Sequence, residues 1–210
     1  MHSLRSHWNN VYQSKPETSL SWYEGDPAPS LEMVQLCNVK KPDLVVDAGA
    51  GLSQFLEKML EKGYSNLTAI DISESAIEKA KERIGADKAL QINWFINDLA
   101  KPEKLALAEP VSLWHDRAVF HFLTQPEEQE AYIRNLEQTV ALGGNVIMAT
   151  HAPQAPNTCS NLPVICYDKR SLTQRMGDKF MLLYHFYHQH HTPAGQTRPF
   201  LYALYQKIME

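Results

Sequence analysis

The sequence predicts an α/β fold in which a mostly parallel sheet is covered by helices on both faces. Two observations predict it: apolar runs of strand length alternate with segments of helical periodicity, and two final runs flank a tight turn. Parallel strands need crossover connections, and right-handed crossovers pack best as helices, so this alternation favours a doubly wound sheet. With 210 residues, 44% of them hydrophobic and 21% charged, the chain can form one domain with a full core.

The elements are predicted in order along the chain. Five apolar runs are candidates for parallel strands, at 44–46, 67–70, 90–96, 111–114 and 145–149. Four segments with helical spacing are candidates for helices, at 31–37, 52–60, 73–84 and 132–140. Ser73 is a residue type that caps helices. The last two runs, 180–189 and 198–207, are predicted to pair antiparallel, and the aromatic segment 8–29 is predicted to be a loop.

Charge and composition argue against several classes of function. The formal net charge is −4 with no run of like charges, so neither nucleic acid nor a membrane is an expected partner. The chain has no apolar stretch of about 18 residues and opens on the polar MHSLRSHWNN, so a cytosolic location is expected. Cys37, Cys159 and Cys166 lack the spacing of a metal site, so reduced thiols and no bound metal are expected. The sequence does not indicate an oligomeric state.

A glycine-containing turn, VVDAGAGLSQ, follows the first predicted strand and opens a helix. Gly49 and Gly51 would let a ligand approach the backbone, and amide groups at a helix N-terminus favour an electron-rich group. Asp71 comes 22 residues after Gly49 and ends the second strand, where a carboxylate can accept both hydroxyls of a ribose. Together these features predict a nucleotide-like cofactor.

The details of the turn distinguish two cofactors. A dinucleotide fingerprint requires G-x-G-x-x-G, and Gln54 stands at the last of these glycines. Asp47 would place a negative charge near a pyrophosphate, whereas it suits a ligand with an ammonium and a sulfonium. The D-x-G-x-G form therefore indicates S-adenosylmethionine. An NAD(P)-dependent oxidoreductase and a non-catalytic cofactor-binding subunit are the alternatives from other classes.

These residues resemble the class I S-adenosylmethionine-dependent methyltransferases. VVDAGAG is similar to their first motif, Asp71 to their acidic residue after strand two, and 97–99 to their adenine-side loop. The resemblance implies a Rossmann-like methyltransferase fold of seven strands, doubly wound, with the last strand antiparallel. It implies one domain with an N-terminal aromatic lid and helix at 1–40, a cofactor-binding core at 41–150, and a substrate-side loop and antiparallel strands at 151–210. The implied cofactor-binding residues are Trp8, Tyr12, Trp22, Asp47, Gly49, Gly51, Asp71, Ile72, Asp98, Leu99 and His115.

The stretch WHDRAVFHFL places three polar residues at the end of the fourth predicted strand, where open α/β sheets bind ligands. It is similar to the W-D-R-G-A-L motif of the thiopurine S-methyltransferase family, with an added His115 and no glycine. The resemblance implies that Arg117 faces the substrate, and Asp116 and Arg117 are the candidate catalytic residues. The alternative is that Asp116 and Arg117 form an ion pair at a helix start. His121 is expected to be a core histidine.

The N-terminal aromatic residues resemble a loop of the same family that packs over the cofactor. HWNNVYQ contains Trp8 and Tyr12 four positions apart, and SWY contains Trp22. A W-x-x-x-Y opening also occurs among protein-lysine methyltransferases of this fold, so the opening does not choose a substrate. The histidines of HFYHQHH alternate between two strand faces, which favours a solvated edge strand over a metal site.

The predicted reaction is transfer of the sulfonium methyl group to a nucleophile. Because the methyl group arrives activated, the protein mainly positions and desolvates the reactants, and a base is needed only for a protonated acceptor. On the resemblance, a small molecule with a thiol or another soft nucleophile is the first choice of acceptor. A protein side chain, lysine, is the second.

Overall fold

The computed structural model describes residues 4–101 and 105–210. Its strands are β1 (Val45–Ala48), β2 (Leu67–Asp71), β3 (Ile92–Ile96), β4 (Val111–Arg117), β5 (Val140–His151), β6 (Thr158–Cys159), β7 (Leu162–Pro163), β8 (Phe180–His191) and β9 (Thr197–Lys207). Seven of them form one sheet in the order β3-β2-β1-β4-β5-β9-β8. Neighbours from β3 to β5 are parallel, and β9 is antiparallel to both β5 and β8. The predicted doubly wound α/β fold with an antiparallel last strand is confirmed.

Seven α-helices connect and cover the strands in the described part of the chain. They are α1 (Leu4–Ser14), α2 (Ala28–Gln35), α3 (Phe55–Glu61), α4 (Glu74–Ile84), α5 (Ala86–Ala89), α6 (Pro126–Thr139) and α7 (Lys169–Met176). The Oγ atom of Ser73 accepts the amide N–H of Ala76 at 3.1 Å, so the predicted cap of α4 is present. Residues 17–19 and 120–122 form single 3₁₀ turns.

The core lies on both faces of the sheet, as a parallel sheet covered by helices requires. On one face α2 and α3 bury Met33, Phe55 and Met59 against the sheet. On the other face α6 and α7 bury side chains that include Tyr132 and Leu172. All residues of β1 and β2 are buried, which explains why most of them are apolar. The burial of the two strands also fixes the position of the turns that follow them.

The prediction of a loop over 8–29 is wrong at its start, because Trp8 and Tyr12 lie in helix α1. Serine, asparagine and histidine give LRSHWNNVYQS a low helix propensity, which is why the sequence pattern did not indicate a helix. Packing stabilises it instead: Val11 and Tyr12 are buried in a cluster with side chains of α4.

Other element boundaries also differ from the prediction: β5 spans Val140–His151 and α6 begins at Pro126. Helix α2 occupies 28–35, β4 extends to 117, and β3 begins at 92. In the part of the chain that the structure describes, no helix is both long enough and apolar enough to cross a membrane.

Candidate functional site

A cavity opens at the carboxyl ends of β1, β2 and β4, the edge at which open α/β sheets bind ligands. One side is lined by the residues that follow β1, β2 and β3, and the other by the ends of β4, β5 and β9. We call these the β2 side and the β9 side. Aromatic residues of α1 and of the segment 21–24, which we call the strap, cover it.

The turn after β1 brings backbone to the cavity. Gly49 and Gly51 have φ angles of +65° and +50°, which side-chain-bearing residues rarely adopt. A Cβ atom on Gly49 would clash with Val119, and one on Gly51 would lie 2.5 Å from Oη of Tyr12. Glycine at these two positions therefore allows the turn after β1 to pack closely against α1 and against the segment that follows β4. Gly49 lines the cavity.

Asp71 closes β2 and is 6% exposed. Its Oδ2 accepts the amide N–H of Gly51 and its Oδ1 that of Ser73, each at 2.8 Å. These bonds fix the carboxylate at the cavity wall, with Ile72, Asp98 and Leu99 beside it. Burial raises the pKa of Asp71 to about 6, although the backbone amides oppose that shift.

Asp47 lies in β1, the strand next to β2. It lines a second recess, which Gly51 and Arg117 also line. Its Oδ1 lies 2.7 Å from Nδ1 of His115, while its Oδ2 is buried without a hydrogen-bond partner among the described residues. Nε2 of His115 lies 2.8 Å from Oγ of Ser30, and the ring stacks on Phe55 at a centroid distance of 4.0 Å. His115 is 1% exposed and contacts Asp47 on one side of its ring and Ser30 on the other.

Three aromatic side chains that the sequence predicted for the lid do meet above the cavity. The ring of Trp8 lies 5.6 Å from that of Trp22, and the ring of Tyr12 lies 6.2 Å from it. Oδ1 of Asn9 accepts a hydrogen bond from Oγ of Ser73 at 2.7 Å, which attaches α1 to the start of α4. The three aromatic side chains thus lie on α1 and on the strap, and both of these segments are attached to the rest of the domain.

Arg117 lines the cavity and fastens the strap. Its Nε donates to Oη of Tyr202 at 3.1 Å, its Nη1 donates to the carbonyl oxygen of Trp22 at 2.9 Å, and its Nη2 lies 2.8 Å from Oε1 of Glu24. The guanidinium also lies 5.2 Å from the ring centre of Phe200. The substrate-facing role that the resemblance implied for Arg117 stays a prediction.

Asp116 does not line the cavity, and the prediction of a substrate contact is corrected. Successive strand residues point to opposite faces, so Asp116 faces α6 while its neighbours in β4 face the other way. Its carboxylate accepts the hydroxyl of Tyr132 and the amide N–H groups of Val119 and Phe120. Burial raises its pKa to about 6. Asp116 thus caps the turn after β4, and the alternative ion pair with Arg117 does not form.

The sequence analysis missed His151, Arg198 and Phe200 on the β9 side, and it favoured an ordinary loop cysteine for Cys159, which lines the cavity beside them. They come from β5, β6 and β9, which are distant in sequence and meet only through the antiparallel insertion of β9. Nδ1 of His151 lies 3.1 Å from the carbonyl oxygen of Pro156, which is an acceptor, so this nitrogen carries the ring proton. Burial lowers the pKa of His151 to about 4, which keeps the ring neutral near pH 7.

The other histidines have structural positions. His121 is fully buried, and its Nδ1 accepts the amide N–H of His151 at 3.1 Å, as expected of a core histidine. β8 is an edge strand, but His190 is only 3% exposed and its Nε2 donates to the carbonyl oxygen of Ser21 at 2.8 Å. Among residues 4–101 and 105–210 there is no group of three or more side chains placed to hold a metal ion.

The residues present fit S-adenosylmethionine. Asp71 would accept the ribose hydroxyls, with Ile72, Asp98 and Leu99 toward the adenine. The unpartnered Oδ2 of Asp47 would accept the ammonium of the methionine end, because a buried carboxylate oxygen without a partner is costly. Gln54 and Asp47 oppose a pyrophosphate at the same turn.

Comparisons with known proteins agree with this interpretation. Residues 45–144 match the profile of a family described as a methyltransferase domain. The N-methyltransferase NodS from Bradyrhizobium japonicum, solved with S-adenosyl-L-homocysteine, has the same fold. It aligns with a TM-score of 0.70 at 15% identity, over 97% of this chain and all of that one.

Two curated relatives are similar over part of the chain. The eEF1A lysine and N-terminal methyltransferase of Mus musculus is 26% identical over 143 residues, which is 67% of this chain and 19% of that protein. The malonyl-[acyl-carrier protein] O-methyltransferase of Anoxybacillus flavithermus is 35% identical over 92 residues, or 43% of this chain and 33% of that protein. The matches thus span a third or less of either relative's own length. Residues 45–144 are thus similar to a methyltransferase domain, and the fold is the one found in NodS.

Proposed function

We propose that the chain transfers the methyl group of S-adenosylmethionine to a small-molecule acceptor that lies on the β9 side of the cavity. Bound cofactor supplies a methyl group activated by a positively charged sulfur. Asp47 and Asp71 would hold its two ends, and Trp8, Tyr12 and Trp22 would cover it and exclude water. These residues position and desolvate the reactants, which is the main contribution that a methyl transfer asks of a protein.

The observation that carries the choice of acceptor is the charge of the β9 side. Arg117 and Arg198 both line it, and Glu24 is the carboxylate partner of Arg117. A lysine ammonium that entered there would meet the guanidinium of Arg198, which has no carboxylate partner among the described residues, in a site of low dielectric constant, where like charges repel strongly. A neutral or anionic small molecule meets no such barrier.

The strap also favours a small acceptor. Ser21 and Trp22 each accept a hydrogen bond on the backbone carbonyl, from His190 and from Arg117. The strap is therefore held at two successive carbonyls and by the Glu24 carboxylate. Held in this way, it closes the cavity over a bound acceptor. A polypeptide would have to displace these contacts to reach the cavity, whereas a small molecule needs them to open only briefly.

The nucleophile we favour is a thiol or another soft group. The support is the similarity of 114–118 to the thiopurine S-methyltransferase motif, in which the arginine faces the substrate. Protein lysine is the second candidate, and the W-x-x-x-Y pattern of Trp8 and Tyr12 and the mouse relative favour it. The positive charge of the β9 side argues against it.

The experiment is a transfer assay with methyl-tritiated S-adenosylmethionine. Purified wild-type protein is incubated with a low-molecular-mass cell extract and, separately, with the protein fraction of the same extract. We expect label to enter the low-molecular-mass fraction, and we expect Asp71→Ala to abolish this transfer. Label in protein lysine alone would overturn the choice of acceptor, and no transfer to either fraction would favour a non-catalytic subunit.

A further inference from the structure

We propose that the acceptor carries a carboxylate that binds Arg198, an inference that rests on the proposed methyl transfer. Arg198 begins the face of β9 that also carries Phe200 and Tyr202, because every second residue of a strand points the same way. The first two of these residues line the cavity, and Tyr202 binds Arg117. The guanidinium groups of Arg198, from β9, and of Arg117, from β4, thus line the same cavity.

The two guanidinium groups differ in their partners. Arg117 contacts Tyr202, Trp22 and Glu24, so its charge is largely committed to the strap. The Nε and Nη1 atoms of Arg198 are buried and have no hydrogen-bond partner among the described residues. No carboxylate of the described chain forms an ion pair with it. Buried donors of a charged group are costly when unpaired, so a ligand that satisfies them gains binding energy.

The polar neighbours of Arg198 do not supply a negative charge. Burial raises the pKa of the Cys159 thiol above its usual range, so the sulfur stays protonated near pH 7 despite the nearby Arg198. Burial lowers the pKa of both His121 and His151, and Arg198 and Arg117 lower them further. Two neutral rings and a neutral thiol leave the positive charge of Arg198 uncompensated.

The remaining wall suggests what carries the carboxylate. Phe200, Phe122 and Trp22 line the same cavity and provide flat apolar surfaces. Aromatic and other unsaturated rings pack well against such surfaces. An acceptor with a planar apolar body and a carboxylate therefore fits the site, and benzoate is the simplest probe of this chemistry. Phosphate is the other common anion that arginine binds.

The test measures binding, without turnover. Wild-type protein saturated with S-adenosylhomocysteine is titrated by calorimetry with benzoate, with the neutral isostere benzamide, and with inorganic phosphate. We expect benzoate to bind about tenfold more tightly than benzamide, since one charge-assisted contact distinguishes them. Equal binding of benzoate and benzamide, or failure of benzoate to bind, would overturn the proposal. Phosphate binding in place of benzoate would overturn the carboxylate assignment.

Two variants locate the contact. Arg198→Met keeps the apolar stem and should weaken benzoate about tenfold or more while leaving benzamide unchanged. Arg170→Met, at an exposed arginine of α7, is the matched control and should change neither. If Arg198→Met does not fold, Arg198→Lys, which keeps the charge, should retain a preference for benzoate over benzamide. Wild-type benzoate affinity in Arg198→Met, or loss of that preference in Arg198→Lys, would contradict the assignment.

These results are separate from the test of the proposed function. Saturation with S-adenosylhomocysteine is verified first for each variant, and its affinity should stay within about twofold of wild type because Arg198 lies on the β9 side. Benzoate binding that depends on Arg198 would stand even if label in the transfer assay entered lysine. Transfer to a small neutral acceptor with no benzoate binding would remove this inference and leave the proposed function intact.

Discussion

Nδ1 of His115 lies 2.7 Å from Oδ1 of Asp47, and both side chains are almost completely buried. The histidine bridges this carboxylate to the hydroxyl of Ser30, so one oxygen of Asp47 is fixed and the other is left for a ligand. The sequence predicted His115 as a cofactor-binding residue, and from these contacts we propose that it positions Asp47.

His115→Phe keeps the stacking on Phe55 and removes both hydrogen bonds. We expect affinity for S-adenosylhomocysteine to fall about tenfold, since charged hydrogen bonds contribute roughly 1.5–3 kcal/mol and Asp47 would lose its orientation. Affinity for adenosine, which lacks the methionine end, should stay near wild type. Calorimetric titration of both ligands checks this, and equal losses for the two would show a general structural role instead.

Asp71→Asn should weaken S-adenosylhomocysteine by about an order of magnitude, because the amide accepts the ribose hydroxyls less strongly than a carboxylate. The pKa of Asp71 is raised to about 6, so the wild-type carboxyl becomes protonated as the pH falls through that value. Wild-type affinity should therefore fall between about pH 7 and pH 5, and the variant should lose most of this dependence. A wild-type affinity that does not change over this range would contradict the role given to Asp71.

Asp116→Asn tests the assignment of this residue to structure. The pKa of Asp116 in the folded protein, about 6, lies above the ordinary value of 3.8 for an aspartate, so ionisation of this carboxyl costs stability as the pH rises through this window. As the pH is raised from about 4 to 7, the melting temperature of the variant should rise relative to that of the wild type. S-adenosylhomocysteine affinity should be unchanged. A loss of cofactor affinity at constant stability would return Asp116 to the site.

Arg117→Met should lower the transfer rate about tenfold or more, an increase of about 1.4 kcal/mol in the barrier, while cofactor affinity changes by about twofold or less. Amide hydrogen exchange at 21–24 should become faster, because the variant loses the bonds to Trp22 and Glu24. Glu24→Gln is the matched control: it removes only the ion pair and should speed exchange less. Unaltered turnover per folded molecule would show that Arg117 serves stability alone.

Gly51→Ala places a Cβ atom 2.5 Å from Oη of Tyr12 at a φ of +50°. Cofactor affinity should fall, and the double variant with Tyr12→Phe should recover part of it, because the clashing oxygen is gone. Recovery should be incomplete, since the left-handed backbone still costs about 1–2 kcal/mol for alanine. A single variant that binds like wild type would mean that Gly51 serves no close approach.

Local sequence patterns predicted the parts of the site that local structure builds. The turn at Gly49 and Gly51 and the carboxylate of Asp71 follow directly from a strand that ends and a helix that begins. Asp116 and Arg117, by contrast, point to opposite faces of the sheet, because side chains alternate along a strand. A run of three polar residues in the sequence does not show which of them faces the cavity. The sequence pattern does not show that β9 inserts between β5 and β8. It therefore did not predict that Arg198 lines the cavity.

The N-terminal helix shows a second limit. Its weak intrinsic propensity concealed α1, which packs on α4 and bonds to Ser73 through Asn9. Helices that depend on tertiary packing are the ones that propensity predicts least well. The domain boundaries at 40 and 150 and the cytosolic location stay predictions.

The central claim is that the crevice between Asp47 and Asp71 binds an adenosyl cofactor with an amino-acid end. Calorimetric titration of the wild-type protein and of Asp47→Asn with S-adenosylhomocysteine and with NADH tests it most directly. We expect one-to-one binding of S-adenosylhomocysteine by the wild type, a loss of about tenfold in the variant, and no detectable binding of NADH. Binding of NADH together with failure of S-adenosylhomocysteine to bind would contradict it.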